Sequence, residues 1–176
     1  YKNISIVFCE KNNGKGSAIK ESKKYITGDF VIIQDADLEY KPEDYPSLLQ
    51  PLLDGDADVV YGSRFVGDKP HRISMFGHYL ANKVLTFISN ILTNLNLSDM
   101  EVGYKVFKSE IFKKINIKEK SFGVEPEITA KISKLKVKIY EVGISYNGRS
   151  YEEGKKIRFK DGIRALYCII KYNLFS

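Results

Sequence analysis

The 176-residue chain has two cysteines, two histidines and no tryptophan. Cys9 and Cys168 lie far apart in apolar runs, without metal-ligand spacing. That excludes a cysteine-built zinc site and fits two free thiols in a reducing compartment. His71 and His78 have no third ligand near them in sequence, so packing or surface roles are expected rather than zinc binding. No apolar run reaches the roughly 18 residues that a membrane-spanning helix needs. Internal repeats and low-complexity tracts are missing as well. Acids are the scarcer charge: 22 against 28 lysines and arginines, a formal net charge of +6. Such a balance suits anionic partners, among them nucleotides, phosphorylated lipids and anionic membranes. The basic residues are not interleaved with aromatics in a stacking pattern, so no nucleic-acid partner is expected.

What is present reads as one α/β unit. The chain is 43% hydrophobic and 28% charged, an ordinary globular composition. "ISIVFC" (residues 4–9) is β-branched and predicts a buried strand. Residues 12–26 follow with helical spacing, and "FVIIQ" supplies a second strand. Pro42 opens another helix, with Leu48, Leu49, Leu52 and Leu53 on its apolar side, before "VVYGSRF" brings a third strand. Strands and helices alternating at these short intervals predict a mostly parallel sheet flanked by helices. A long, largely apolar helix is expected over 73–95, then a strand at "GYKVF", a short helix after Ser109, a helix over 125–135 and a strand over 137–146. Residues 1–146 form the expected core. Residues 147–176 add a basic loop and an amphipathic helix from about Asp161. The chain opens almost directly on a strand without a methionine, which predicts a part of something longer.

Two carboxylates, Asp35 and Asp37, follow the second strand in "FVIIQDADLEY". Burying charge is costly without a partner. In an open parallel sheet, ligands bind beyond the carboxyl ends of the strands, where magnesium or manganese accepts carboxylate oxygens and keeps positions free for phosphates. A solvated turn is the competing explanation, and Glu39 either joins the site or is a loop acid. Asp54, Asp56 and Asp58 repeat the spacing, but Val59 stands where a calcium loop needs glycine, so a turn explains them. Gly14, Lys15 and Gly16 sit at a helix start that suits a phosphate, although the segment matches neither the P-loop nor the dinucleotide fingerprint. Asp99 and Glu101 form a further pair, and Glu125 and Glu127 flank Pro126 as helix-start acids.

Taken together, "NGKG", "DADLEY", "VVYGSRF", "SDMEVGYKVF", "EPEI" and "EVGISYNGRSYEEGKKIRFKDG" resemble family 2 glycosyltransferases, in the branch of dolichol-phosphate mannose synthase and polyprenyl-phosphate glycosyltransferases. The resemblance implies a GT-A fold truncated at its amino terminus, lacking the first βα units with their Tyr-Asn-Glu and Asp-Asp-Gly-Ser type motifs. It implies Mg2+ or Mn2+ held by Asp35, Asp37 and Glu39, and a nucleotide-diphosphate sugar donor bound with help from Gly14, Lys15 and Gly16. Arg64 matches a residue linked to acceptor phosphate, and Arg149, Lys155 and Lys156 match a basic loop near donor and acceptor. A second acceptor arginine has no clear counterpart, with Arg72 and His78 as the alternatives.

The activity implied is inverting transfer of a hexose to a polyprenyl (dolichyl or undecaprenyl) phosphate, at the cytoplasmic face of a membrane that the protein touches peripherally. A lipid phosphate is already anionic and attacks directly. A sugar hydroxyl needs a base, for which Asp99 is the first candidate and Glu101 the second. Transfer to a saccharide hydroxyl, a sugar nucleotidyltransferase and a non-catalytic membrane-surface module are the alternatives.

Overall fold

A computed structural model describes residues 4–73, 75–150, 152–154 and 159–175. Four strands form one sheet: β1 (Phe30–Ile33), β2 (Val59–Ser63), β3 (Lys105–Lys108) and β4 (Ile139–Gly143), in the order β1-β3-β2-β4. β2 pairs with β4 in parallel, with Val59 opposite Ile139 and Ser63 opposite Gly143. β3 lies antiparallel between β1 and β2, with Phe30 opposite Lys108 and Val59 opposite Phe107. Three of the four strands therefore share one direction, and the reversed strand delivers the segment just before it to the carboxyl ends of β1 and β2.

The helices are α1 (Lys15–Ser22), α2 (Tyr45–Leu53), α3 (Phe76–Thr93), α4 (Ser109–Lys114), α5 (Val124–Lys134) and α6 (Phe159–Leu174). All five residues of β2 are buried, as the apolar run "VVY" requires of a central strand. α2 packs on β2, β3 and β4 through Leu48 and Leu52. α3, α5 and α6 pack on one another, and the Tyr61 hydroxyl lies 2.9 Å from that of Thr129, tying this helical group to β2. On α6 the buried side chains Ala165, Cys168, Ile169 and Tyr172 follow helical spacing. α3 ends at Asn94, whose left-handed φ of 55° terminates the helix as asparagine tolerates.

One expected element is corrected. Residues 4–9 form no strand, and Ile6 and Phe8 are 72% and 90% exposed. A β-branched run becomes a strand only against a neighbour's backbone groups, and among the described residues β1 pairs on one edge only, with β3.

Candidate active site

β1 ends at Ile33, and the chain then turns through residues 34–40 beside the segment that leads into β3. Gln34 fixes this turn by accepting the hydroxyls of Tyr45 and Tyr104, each at 2.6 Å. Asp35 faces Lys15, whose ammonium lies 2.8 and 2.9 Å from its two oxygens and 2.7 Å from Glu125. Burial opposes a charge on Lys15, yet Glu125 and Asp35 hold it protonated well above the ordinary lysine range. The approach of the pre-β3 segment depends on Gly103: a Cβ there would lie 2.3 Å from an Asp35 oxygen.

Asp37 accepts the Arg149 guanidinium at 2.8 Å. Burial pushes its carboxyl above the usual range, with the Glu39 amide and the Arg149 charge pulling the other way. Glu39 accepts the Arg149 amide and Nε, both at 3.0 Å, and the Tyr146 hydroxyl at 3.2 Å. Both of its oxygens are thus occupied, and it clasps the 146–149 segment to the carboxylate turn. Lys155 and Lys156 lie outside the described residues.

Arg64 follows β2 and meets Asp99 as a fork: Nε and Nη2 reach the two carboxylate oxygens, each at 2.6 Å. The Arg64 amide and the Asn82 side chain add bonds at 3.1 and 3.2 Å. Burial works against the charged form of Asp99, and Arg64 outweighs it, holding the carboxyl below the usual range. Glu141 of β4 positions this turn by accepting the Ser98 and Asp99 amides. The Arg64 guanidinium also lies 5.2 Å from the Tyr146 ring centre, so Tyr146 links the Arg64–Asp99 pair to Glu39.

Glu101 differs from its neighbour. One of its carboxyl oxygens is buried without a hydrogen-bond partner among the described residues, as is one oxygen of Glu125. Burial and then the charge of Glu125 push Glu101 well above the carboxylate range, against the opposing pull of Lys105 and Arg64. Lys105 is buried and donates to the carbonyls of Met100 and Val102. Burial lowers its affinity for a proton despite nearby Glu125.

The glycine segment turns elsewhere. A Cβ at Gly14 would lie 2.4 Å from the Lys120 carbonyl oxygen, and one at Gly16 2.2 Å from that of Glu119. The two glycines admit the 119–120 backbone to the start of α1, and the Ser17 amide donates to Lys120. Of the three, Lys15 alone carries a side chain, and it reaches the carboxylate turn. Sequence reading left out Gly103, Lys105, Glu141 and Tyr146, and took Glu125 for a helix-start acid. A lysine heading the apolar strand β3, directly after Tyr104, was the available signal for Lys105.

A divalent cation suits this donor set. Asp35 and Asp37 are hard oxygen donors one residue apart, and the Lys15 ammonium already rests on both Asp35 oxygens as a positive charge would. Among the described residues no three metal-ligating side chains converge. Mg2+ needs no such cage, because one or two carboxylates plus substrate phosphates satisfy it.

Comparison with known proteins supports the same direction. The Glycosyl transferase family 2 profile matches residues 1–116. An uncharacterized protein of Methanocaldococcus jannaschii is 30% identical over 173 residues, covering 88% of this chain and 71% of its own. The low-salt glycan biosynthesis hexosyltransferase Agl6 of Haloferax volcanii is 27% identical over 164 residues, covering 93% of this chain and 40% of the enzyme. The glycosyltransferase AglJ of the same organism is 29% identical over 147 residues, covering 81% and 47%. Glucosyl-3-phosphoglycerate synthase of Mycobacterium tuberculosis, solved with Mn2+, UDP and phosphoglyceric acid, superposes with a TM-score of 0.70 at 18% identity, over 93% of this chain and 55% of the synthase. The chain thus spans about half the length of the named enzymes it matches. The sheet is that of the GT-A fold, and the chain belongs to glycosyl transferase family 2.

Proposed function

We propose that the protein transfers a hexose from a nucleotide-diphosphate sugar to a polyprenyl phosphate at the cytoplasmic face of a membrane, with Mg2+ or Mn2+ bound. The observation that carries the reading is the convergence of Asp35 and Asp37 with Lys15 and Arg149 at the carboxyl end of β1. The structural neighbours are solved with Mn2+ or Mg2+ and UDP, which supports a diphosphate donor. Asp35 and Asp37 would hold the cation, which when bound supplies Lewis-acid neutralisation of the leaving diphosphate. Lys15 and Arg149 are placed to add positive charge on either side of that group. Arg64, fixed by Asp99 and Tyr146, sets a positive charge beside the path an anionic acceptor would take. Peripheral membrane contact is supported by α6, whose Ile163, Tyr167, Ile170 and Leu174 form an exposed apolar row opposite its buried face.

One observation favours a second reading, transfer to a saccharide hydroxyl. Glu101, buried on one oxygen and shifted toward neutral pH, has the character of a general base, whereas Asp99 is consumed by Arg64. Turnover decides between them. Labelled UDP- and GDP-hexoses are offered with Mn2+ to undecaprenyl or dolichyl phosphate and, separately, to saccharides. Sugar-labelled lipid phosphate is the expected product. Labelled saccharide alone assigns the second reading, and no transfer to either sinks both.

A further inference from the structure

The two cations at the carboxylate turn are held in the same way. Lys15 lies between Asp35, at 2.8 and 2.9 Å from its two oxygens, and Glu125, at 2.7 Å. Arg149 lies between Asp37, at 2.8 Å, and Glu39, at 3.0 Å. Each cation therefore has two acids, one aspartate of the Asp35–Asp37 pair and one glutamate. The two acids differ in access. The side chains of Asp35 and Asp37 are each 26% exposed, whereas those of Glu125 and Glu39 are 8% and 14% exposed. A cation arriving from solvent meets the aspartates first.

The glutamates are also the firmer holds. One oxygen of Glu39 accepts both the backbone amide and the Nε of Arg149, and the other accepts the Tyr146 hydroxyl. The Asn147 amide donates to the Glu39 carbonyl at 2.9 Å, so backbone ties the same segment down. Asp37 receives Nη2 of Arg149. On the other side, Glu125 keeps one buried oxygen without a hydrogen-bond partner among the described residues. A buried acceptor left unpaired is costly. The Lys15 ammonium has three N–H groups, and those now on Asp35 become free to serve that oxygen once Asp35 lets go. Charge fits the same scheme. Four acids and two bases leave the set two charges negative, and one divalent cation cancels that excess while Lys15 and Arg149 stay.

We infer that Glu39 and Glu125 are positioning residues, which hold Arg149 and Lys15 in place while Asp37 and Asp35 exchange them for the divalent cation. The exchange leaves Nη2 of Arg149 and an N–H of Lys15 for the phosphate oxygens of the donor. Glu39 acts through Arg149 and is not a third metal ligand. The inference rests on the nucleotide-sugar reading above and names what aims its two cations.

The test separates metal binding from diphosphate binding. Mn2+ affinity is read by electron paramagnetic resonance of the chain without nucleotide, and UDP and GDP affinities by calorimetry at saturating Mn2+. Arg149→Ala and Lys15→Met each remove a cation that competes for an aspartate. Both variants should bind Mn2+ alone at least as tightly as wild type. Both should bind the diphosphate about tenfold or more weakly, the scale of one charge-assisted hydrogen bond. Glu39→Ala should keep Mn2+ affinity within about threefold, the scale of a screened charge, yet lose diphosphate affinity. Added to Arg149→Ala it should cost nothing more, and Glu125→Gln should behave likewise when added to Lys15→Met. A glutamate with a purely structural role would add its loss to that of the cation variant. Glu39→Gln, which keeps the side-chain shape, replaces an alanine variant that does not fold, with the same expectation. Mn2+ binding lost in Glu39→Ala as fully as in Asp37→Ala would make Glu39 a ligand and overturn the inference. Additive losses in the double variants, or weaker binding of Mn2+ alone by Arg149→Ala or Lys15→Met, would overturn it too. A wild-type chain that binds no nucleoside diphosphate with Mn2+ overturns the glycosyltransfer reading and the inference with it. Wild-type binding with additive variants overturns the positioning role alone.

Discussion

Glu101 and Asp99 sit two residues apart and are set up for different work. Asp99 is charged, fully buried and satisfied on both oxygens by Arg64. Asp99→Asn leaves the Arg64 guanidinium, mostly buried, facing a neutral amide. The expected loss is roughly 3–5 kcal/mol, read by chemical denaturation; a loss under about 1 kcal/mol would mean that the fork is not holding this turn. Glu101 has its ionisation pushed upward. With a hydroxyl acceptor and Glu101 as base, activity should rise with pH through a step well above the carboxylate range, and Glu101→Gln should remove both the step and most of the rate. With a lipid phosphate acceptor the same variant should leave the pH profile without that feature. The pattern of Asp35 and Asp37 after a strand was legible in sequence because strand ends are local. The Arg64–Asp99 fork was not, because its partners lie 35 residues apart and meet only when reversed β3 returns the chain to β2. Glu125 does stand in the first turn of α5, as its sequence position suggested, but its partner Lys15 is too distant in sequence for the pairing to be legible.

Among the elements, α6 is tied to the 118–121 segment by one acid. Glu119 is buried and receives the Tyr172 hydroxyl at 2.7 Å and Lys171 at 3.3 Å, with Arg164 as a third donor. Burial alone would raise its pKa, but these donors hold it down to about 2, from an ordinary 4.5. A depressed folded-state pKa stabilises the fold above the unfolded value. This contribution, reduced by solvent screening of the exposed Arg164 and Lys171, is therefore complete above roughly pH 5 and is lost as pH falls from there toward 2. Glu119→Gln should lower stability at pH 7 and flatten the acid limb of a stability–pH curve; an unchanged limb would reassign acid sensitivity to other carboxylates. The amphipathic spacing of α6 announced both of its faces, but not which one the core takes. The buried row 165, 168, 169 and 172 packs against α5 and α3, so deleting residues 161–176 should unfold the chain and expose the α5 surface. Residues 4–9 show the opposite limit. Their β-propensity is as strong as that of β1, but propensity does not supply a pairing partner.

For the whole molecule, the strand order and the reversed third strand gather the candidate site from segments that sequence places far apart: 15, 35–39, 64, 99–105, 125 and 146–149. Alternating strands and helices were enough to anticipate an α/β sheet with the site at its carboxyl edge. They could not give the direction of β3, since a short apolar strand reads the same both ways. The central claim is that Asp35 and Asp37 hold a cation that binds a nucleoside diphosphate. The direct measurement is calorimetric titration of UDP and GDP into the chain, with Mn2+ and then with excess chelator, using Asp37→Ala and, as control, the exposed turn variant Asp56→Ala. The account predicts binding of one nucleotide that needs Mn2+, fails in Asp37→Ala with folding retained, and persists in Asp56→Ala. Binding indifferent to the chelator, or undiminished in Asp37→Ala, would contradict it.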